Sequence, residues 1–309
     1  MVDTGMTVTS EPVAKTYELY GLACASEIEL PGCAQTTRTA DVQVSIGRVP
    51  DRLGEAKTSS SVFEAAAGQY LLRIAGIGSY WVSAGRLIIV EPAPGADSAA
   101  VLLFLLGSAL TALLHQRDLL VLHASAVVGA RGAVLIAGPS GRGKSTVSAA
   151  LATRGYSILC DDTAVVALDA DRQLLVQPGT PHLKLWPDAV RRLGRSPDAL
   201  RSVRSGVEKR QLPIHEAFAS APVSLAAVFL LALPPSDVVT CTRIENSLKF
   251  EMLRTHTKTP RAFEGLGNPS SHFRIAAAVA ASVPIYTIAR PRGVDTVAEV
   301  VALVEQELR

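Results

Sequence analysis

The stretch Gly138-Pro-Ser-Gly-Arg-Gly-Lys-Ser-Thr146 constrains this chain more than any other. It fills the pattern G-x-x-x-x-G-K-[ST], with Gly138, Gly143, Lys144 and Ser145 at the fixed positions. An apolar run, Ala133–Ala137, reads as a buried strand entering the loop, and Thr146–Thr153 reads as the helix leaving it. Glycines let the backbone turn its N–H groups inward around phosphate oxygens, and the helix adds the positive end of its dipole. Gly138, Pro139, Ser140, Gly141, Arg142, Gly143, Lys144, Ser145 and Thr146 are therefore the candidate nucleotide-binding residues. Lys144 would reach the β- and γ-phosphates, and the Ser145 hydroxyl would sit on Mg2+. The bland alternative, an ordinary glycine-rich turn, requires neither the strand before it nor the helix after it. The motif predicts a chain that binds a nucleoside triphosphate.

With 309 residues, the chain can hold one large domain or two smaller ones. Hydrophobic residues make up 48% and charged residues 19%, a globular composition. A net charge of +2 is too small for bulk nucleic-acid binding. Cys24, Cys33, Cys160 and Cys241 lack C-x-x-C spacing, which argues against a zinc site or a disulfide framework and fits a reducing cytoplasm. The amino-terminal MVDTGMTVTSEPVAK has no apolar core behind a basic head, so no secretory signal is expected. The segment Ala99–Leu114 is apolar apart from Ser108 and Thr111, yet falls short of the about 20 residues a membrane span needs. It reads as a helix buried under a sheet.

From Tyr17 to about Pro92 the pattern is β. Asp41–Ile46 alternates polar and apolar residues, and Tyr70–Ile74, Tyr80–Ser83 and Arg86–Val90 follow between glycines, as in an antiparallel meander. The second half alternates apolar runs with helical segments. Leu119–Val128, Tyr156–Cys160, Ala164–Leu168, Ala226–Leu233 and Pro284–Ile288 read as strands, with a strand also inside Gln177–Leu185. Asp188–Leu193, Ile275–Val283 and Asp295–Leu308 read as helices. The expected organisation is a β-rich domain over residues 1–98 and an α/β domain over 99–309.

Phosphoryl transfer needs a phosphate cradle, a divalent metal, a group to take the proton of an attacking hydroxyl, and positive charge for the transition state. Asp161 and Asp162 end an apolar run expected to lie next to the loop strand. Neighbouring residues on a strand face opposite ways, so the two can divide the work between acceptor and metal. A surface turn is the plainer explanation for Asp-Asp, but the buried context favours function. A lone histidine such as His123 is more often structural. His182 and Lys184 are further candidates for phosphate or substrate contacts. The run Arg191–Arg210 is strongly basic: it could bind an acidic or phosphorylated peptide, cover the nucleotide, or be a solvated helical face. Within it Lys209 and Arg210 are the candidates for transition-state charge. Trp186 reads as core.

The stretch Leu122-His-Ala-Ser-Ala-Val127, the glycine-rich loop and Asp161-Asp162, in this order, resemble the catalytic half of bacterial HPr kinase/phosphorylase. His123 lies 21 residues before Lys144 and Asp161 lies 17 after it. The resemblance covers residues 122–162 strongly and residues 115–309 loosely. It implies the α/β P-loop kinase fold shared with phosphoenolpyruvate carboxykinase, ATP with Mg2+, and a protein seryl hydroxyl as acceptor. It also implies roles: Lys144 on the phosphates, Asp161 as general base, Asp162 with Ser145 on the metal, His123 near the phosphates. The chain departs from that family at Thr146, where the family has an acidic residue. It departs again at His182-Leu-Lys-Leu-Trp-Pro-Asp188, where a Glu-Ile-Arg-Gly signature is missing. These departures tell against phosphorylase activity and against HPr as substrate. Tyr17-Glu-Leu-Tyr-Gly-Leu22, Ser26–Pro31, Leu185–Asp188, Glu208–Arg210, Pro284–Tyr286 and Arg290-Pro291 are similar to HPr-kinase-related proteins encoded beside peptide-maturation genes. Some of those are lasso peptide kinases, which phosphorylate the C-terminal serine of a precursor peptide.

The sequence-based expectation is a cytoplasmic, ATP-dependent serine kinase acting on a peptide or small protein, with no nucleic-acid partner and room for a homo-oligomer. Its β-rich domain would help hold the substrate. HPr kinase/phosphorylase itself, a hydrolytic nucleotide switch, a non-catalytic ATP-binding module and a small-molecule kinase stay open as alternatives. No guanine-reading N-K-x-D motif accompanies the loop.

Overall fold

Two large sheets organise the chain into a mixed α/β structure. The computed structural model describes residues 14–231, 237–266, 269–291 and 293–309. The amino-terminal residues through Val13 and the last two residues of the expected strand Ala226–Leu233 lie outside these.

The first sheet orders its strands as Lys15–Leu19, Leu22–Ser26, Val42–Ile46, Leu87–Pro92, Gly78–Ser83, Gln69–Ile74, Phe63–Ala66 and Thr58–Ser59. The meander from Gln69 to Pro92 is antiparallel. Val42–Ile46, however, pairs in parallel with both of its neighbours, so the expected all-antiparallel sheet is mixed. A parallel neighbour needs a long connection, and residues 27–41 supply it. Leu19 and Leu22 close the first hairpin, and Tyr20 (φ 53°) and Gly21 (φ 77°) between them are both left-handed, as a type I′ turn requires. Glycine adopts that conformation freely; tyrosine does so at a cost.

The helical segment Ser98–Gln116, 19 residues long with a mean hydropathy of 1.9, has the length and composition of a membrane span. It packs instead through Val101, Leu105, Leu110, Leu113 and Leu114 against Tyr80, Val82, Ile88 and Val90 of the first sheet. The helix expected to open the second domain thus shares its core with the first sheet. Helix Pro260–Leu266 returns to the same core through Ala262 and Leu266. Gly265 lets it approach closely: a Cβ there would lie 2.8 Å from the Ala65 Cβ and 2.9 Å from the Ala65 carbonyl oxygen, and would strike Thr58. Gly265→Ala should therefore lower the unfolding free energy by about 1–3 kcal/mol, read by chemical denaturation. An unchanged midpoint would contradict this packing.

In the second sheet the order is Ser157–Cys160, Ala124–Gly129, Gly132–Ala137, Val223–Leu231, Leu174–Gln177, Ala164–Leu168 and Leu120–Leu122. Ile285–Ala289 also pairs in parallel with Val223–Leu231, and Thr240–Ile244 pairs with Ile285–Ala289. Both faces are covered, so the central strands are apolar without alternation. One face packs helices Lys144–Ala152, Pro187–Arg192 and Val297–Leu308. The other packs Leu248–Thr255 and Pro269–Ser282.

Candidate functional site

The site forms where two strands break side by side. The run Leu119–Val128, read as one strand, is divided at His123: Leu120–Leu122 pairs with Ala164–Val166, whereas Ala124–Gly129 pairs with Gly132–Ala137 and Ser157–Cys160. The other break spans Asp161–Thr163, between Ser157–Cys160 and Ala164–Leu168. The chain switches partners at both points, and the freed residues face one another. His123 Nδ1 lies 3.1 Å from the Asp162 carbonyl oxygen and 3.3 Å from its Oδ1. Contrary to the sequence-based expectation, the strand before Asp161-Asp162 is not adjacent to the loop strand. The hairpin partner Ala124–Gly129 occupies that slot, because the short turn at Ala130-Arg131 folds it directly against Gly132–Ala137.

The glycine-rich loop runs from strand Gly132–Ala137 into helix Lys144–Ala152. Gly138 (φ 148°) and Gly143 (φ 79°) hold conformations that side chains oppose. A Cβ on Gly143 would also stand 3.1 Å from Arg290 Nη2, which donates to the Arg142 carbonyl at 2.6 Å. Arg290 thus pins the loop from the far end of the chain.

Lys144 is buried and spends its three donors on the Gly138 carbonyl (2.8 Å), the Pro139 carbonyl (3.0 Å) and His123 Nε2 (3.0 Å). An ammonium only donates, so His123 Nε2 accepts and its Nδ1–H donates to Asp162. Burial, helped by Lys144, pushes the His123 pKa down, which suits this neutral tautomer. Burial also lowers the Lys144 pKa to about 8.

The two aspartates occupy different places. Asp161 is buried: its Oδ1 accepts from Ser125 Oγ (2.6 Å) and Ser145 Oγ (2.8 Å), and its Oδ2 from the Lys184 amide (2.8 Å). Asp162, left-handed at φ 67° with a side chain 30% exposed, lines the cleft. Its Oδ2 meets Lys258 Nζ at 2.9 Å and Lys184 Nζ at 3.5 Å. Burial alone would raise the Asp162 carboxyl, but Lys258, Lys184 and His123 outweigh it and hold the group well below the usual carboxylate range. The pairing expected of Asp162 with Ser145 is therefore not found; Ser145 bonds Asp161. The reason is the turn at Asp162, whose left-handed backbone swings the second carboxylate away from the loop helix.

His123, Ser140, Gly141, Gly143, Lys144, Ser145, Thr146, Asp162, Lys184, Leu185, Trp186 and Lys209 line one cleft. Of the remaining candidates, Gly138, Pro139 and Arg142 shape the loop behind it. Strand His182–Leu185 carries Lys184 into the cleft, but His182 lies outside the lining, against Gly32 and His215. Burial and then His215 lower its pKa to about 4. In the basic segment, Lys209 reaches the cleft with its ammonium 5.4 Å from the Trp186 ring centroid. Arg210 instead donates to the Pro197 carbonyl (3.0 Å) and Ser202 Oγ (2.7 Å), fastening the segment to itself. Trp186, expected in the core, is 45% exposed at the cleft wall, because Pro187 starts a helix there and leaves the indole at its rim.

Three contributors escaped the sequence. Ser125 lies two residues beyond His123, and the period of a strand could have singled it out. Arg290 appeared only within a short motif. Lys258 lies 96 positions from Asp162, and its neighbourhood shows no pattern.

Ser145 Oγ and Asp161 Oδ1 are hard oxygens beside the loop, and they fit Mg2+, which takes few protein ligands and completes its shell with water and phosphate. Among the described residues no three His, Cys, Asp or Glu side chains gather into a larger metal cage. No family model matches the sequence, and no curated protein matches it. Among solved structures, the HPr(Ser) kinase/phosphatase from Coxiella burnetii is similar at 14% identity and a TM-score of 0.34, over 60% of this chain and 94% of that one.

Proposed function

We propose that this chain is an ATP-dependent kinase that transfers the γ-phosphoryl group to a seryl hydroxyl of a peptide or small protein. The observation that carries this reading is the convergence of Lys144, His123, Asp162 and Ser145 on one cleft, with the buried Asp161 bonded to Ser145. In this reading the loop amides and Lys144 hold the β- and γ-phosphates. Ser145 and Asp161 would hold Mg2+, which would neutralise charge building on the phosphates. The serine oxygen forms its bond to the γ-phosphorus as the bond to the bridging oxygen of ADP breaks. Asp162 takes the serine proton and passes it to solvent. Lys184 and Lys209, which line the same cleft, supply positive charge toward the transferring group. The motifs shared with proteins of peptide-maturation clusters support a precursor peptide, with serine at its C-terminus, as the acceptor.

The test offers the protein Mg2+, γ-labelled ATP and either HPr or a serine-ended precursor peptide. Label on the peptide alone is the expected result. Label on HPr would assign the chain to carbon regulation. Free phosphate with neither acceptor labelled would replace the kinase reading with a hydrolytic one.

A further inference from the structure

Asp162, the proposed base, is connected to Lys258 and Tyr20, two residues that the proposed chemistry has not used. Asp162 is a non-glycine residue in a left-handed conformation, and such strain persists only where the surroundings impose it. Lys258 imposes it. Its ammonium donates to both the Asp162 carbonyl (2.9 Å) and Oδ2 (2.9 Å), and also reaches Thr163 Oγ1. One cation thus grips the main chain and the side chain of the same residue, which fixes the turn and the carboxylate together.

Lys258 is itself held on both sides of its peptide. Its amide donates to the Val121 carbonyl at 2.9 Å, and the neighbouring His123 amide donates to the His256 carbonyl at 2.9 Å, so residues 256–258 add to strand Leu120–Leu122. The Lys258 carbonyl accepts from His115 Nε2 at 2.8 Å. His115 is buried on the apolar helix that packs against the first sheet, and its ring lies 4.9 Å from that of Phe263. From the same sheet comes Tyr20, the second strained residue. Its amide donates to the Pro178 carbonyl at 2.8 Å, and its buried hydroxyl interacts with the side chain of Thr163. The first sheet and its helix therefore touch the site twice, Tyr20 at Thr163 and His115 at the Lys258 carbonyl.

We propose that Lys258 is a positioning residue that sets the Asp162 carboxylate toward the cleft, and that Tyr20 and His115 of the amino-terminal half place it there. The β-rich half is on this account part of how the site is built, beyond any part in holding substrate. The inference rests on the kinase reading for its kinetic consequence only. Lys258→Met should lower kcat about a hundredfold, as expected for a misplaced reacting group, with KM for ATP within about twofold of wild type. Tyr20→Phe should lower kcat by a smaller factor with the same unchanged KM. Independently of activity, hydrogen exchange at the amides of Asp162, Thr163 and Ala164 should speed up in both variants, while exchange within helix Lys144–Ala152 stays as in wild type. Should Lys258→Met not fold, Tyr20→Phe carries the test, since it removes a single oxygen. Wild-type exchange at residues 162–164 in the folded variants would overturn the proposal. So would a loss appearing in KM for ATP rather than in kcat. If the wild-type chain labels no acceptor, the kinase reading fails, and the exchange measurement still decides the role of Lys258.

Discussion

Replacing Lys144 with methionine should lower phosphoryl transfer about a thousandfold, because the cation held by the loop carbonyls is lost. In the structure that ammonium is fully engaged by the Gly138 and Pro139 carbonyls and by His123 Nε2. To reach a phosphate it must leave these partners, and a triphosphate carries enough charge to draw it out. Methionine has similar length and fills the buried stem, so the fold should survive. The Gly138 carbonyl loses a donor, which costs about 1 kcal/mol, and Pro139 is exposed enough for water to replace the bond. Lys144→Arg should not rescue activity, since a planar fork does not fit a space shaped for three divergent donors. The check is transfer of labelled phosphate at saturating ATP, with a denaturation curve to confirm folding. Activity within tenfold of wild type would remove Lys144 from the mechanism and with it the phosphate-cradle reading of the loop.

What the sequence made legible follows from how local each signal is. The strand, loop and helix from Gly132 to Ala152 are specified by consecutive residues, and apolar runs longer than three residues located most strands of the second sheet. The split of Leu119–Val128 at His123 was not legible, because both halves are apolar and only the partners differ. Nor was the mixed character of the first sheet, since parallel and antiparallel pairing leave the same alternation along Val42–Ile46. At the site most residues within about 40 positions of the loop were found, Ser125 excepted, and Lys209 was found beyond them, while Lys258 and Arg290 were not. Their function depends on tertiary return of the chain, and a lysine or arginine in a polar segment carries no local mark of where it will point. Trp186 failed for a related reason. Size and hydropathy favour burial of an indole, but its place ahead of Pro187 puts it at a helix start beside an opening.

The two aspartates give the sharpest division of labour. Asp161 is bound by Ser125, Ser145 and the Lys184 amide and faces the loop serine; Asp162 faces the cleft. Asp162→Asn should therefore reduce kcat about a thousandfold, in line with loss of a general base, and leave the requirement for Mg2+ and the affinity for ATP near wild type. Asparagine keeps an acceptor for Lys258 but cannot take a proton from the attacking hydroxyl. Asp161→Asn should act differently. It removes charge beside Ser145, so the Mg2+ concentration giving half-maximal rate should rise at least about tenfold, with much of kcat recovered at saturating Mg2+. Its amide group would also place two N–H donors against the donors of Ser125, Ser145 or Lys184, so a lower unfolding free energy, by about 1–3 kcal/mol, should accompany the change. Initial rates measured across a grid of Mg2+ and ATP concentrations separate these effects. If Asp161→Asn abolishes kcat at every Mg2+ concentration while Asp162→Asn alters only the Mg2+ dependence, the roles are reversed, and the left-handed turn at Asp162 serves the metal rather than the acceptor.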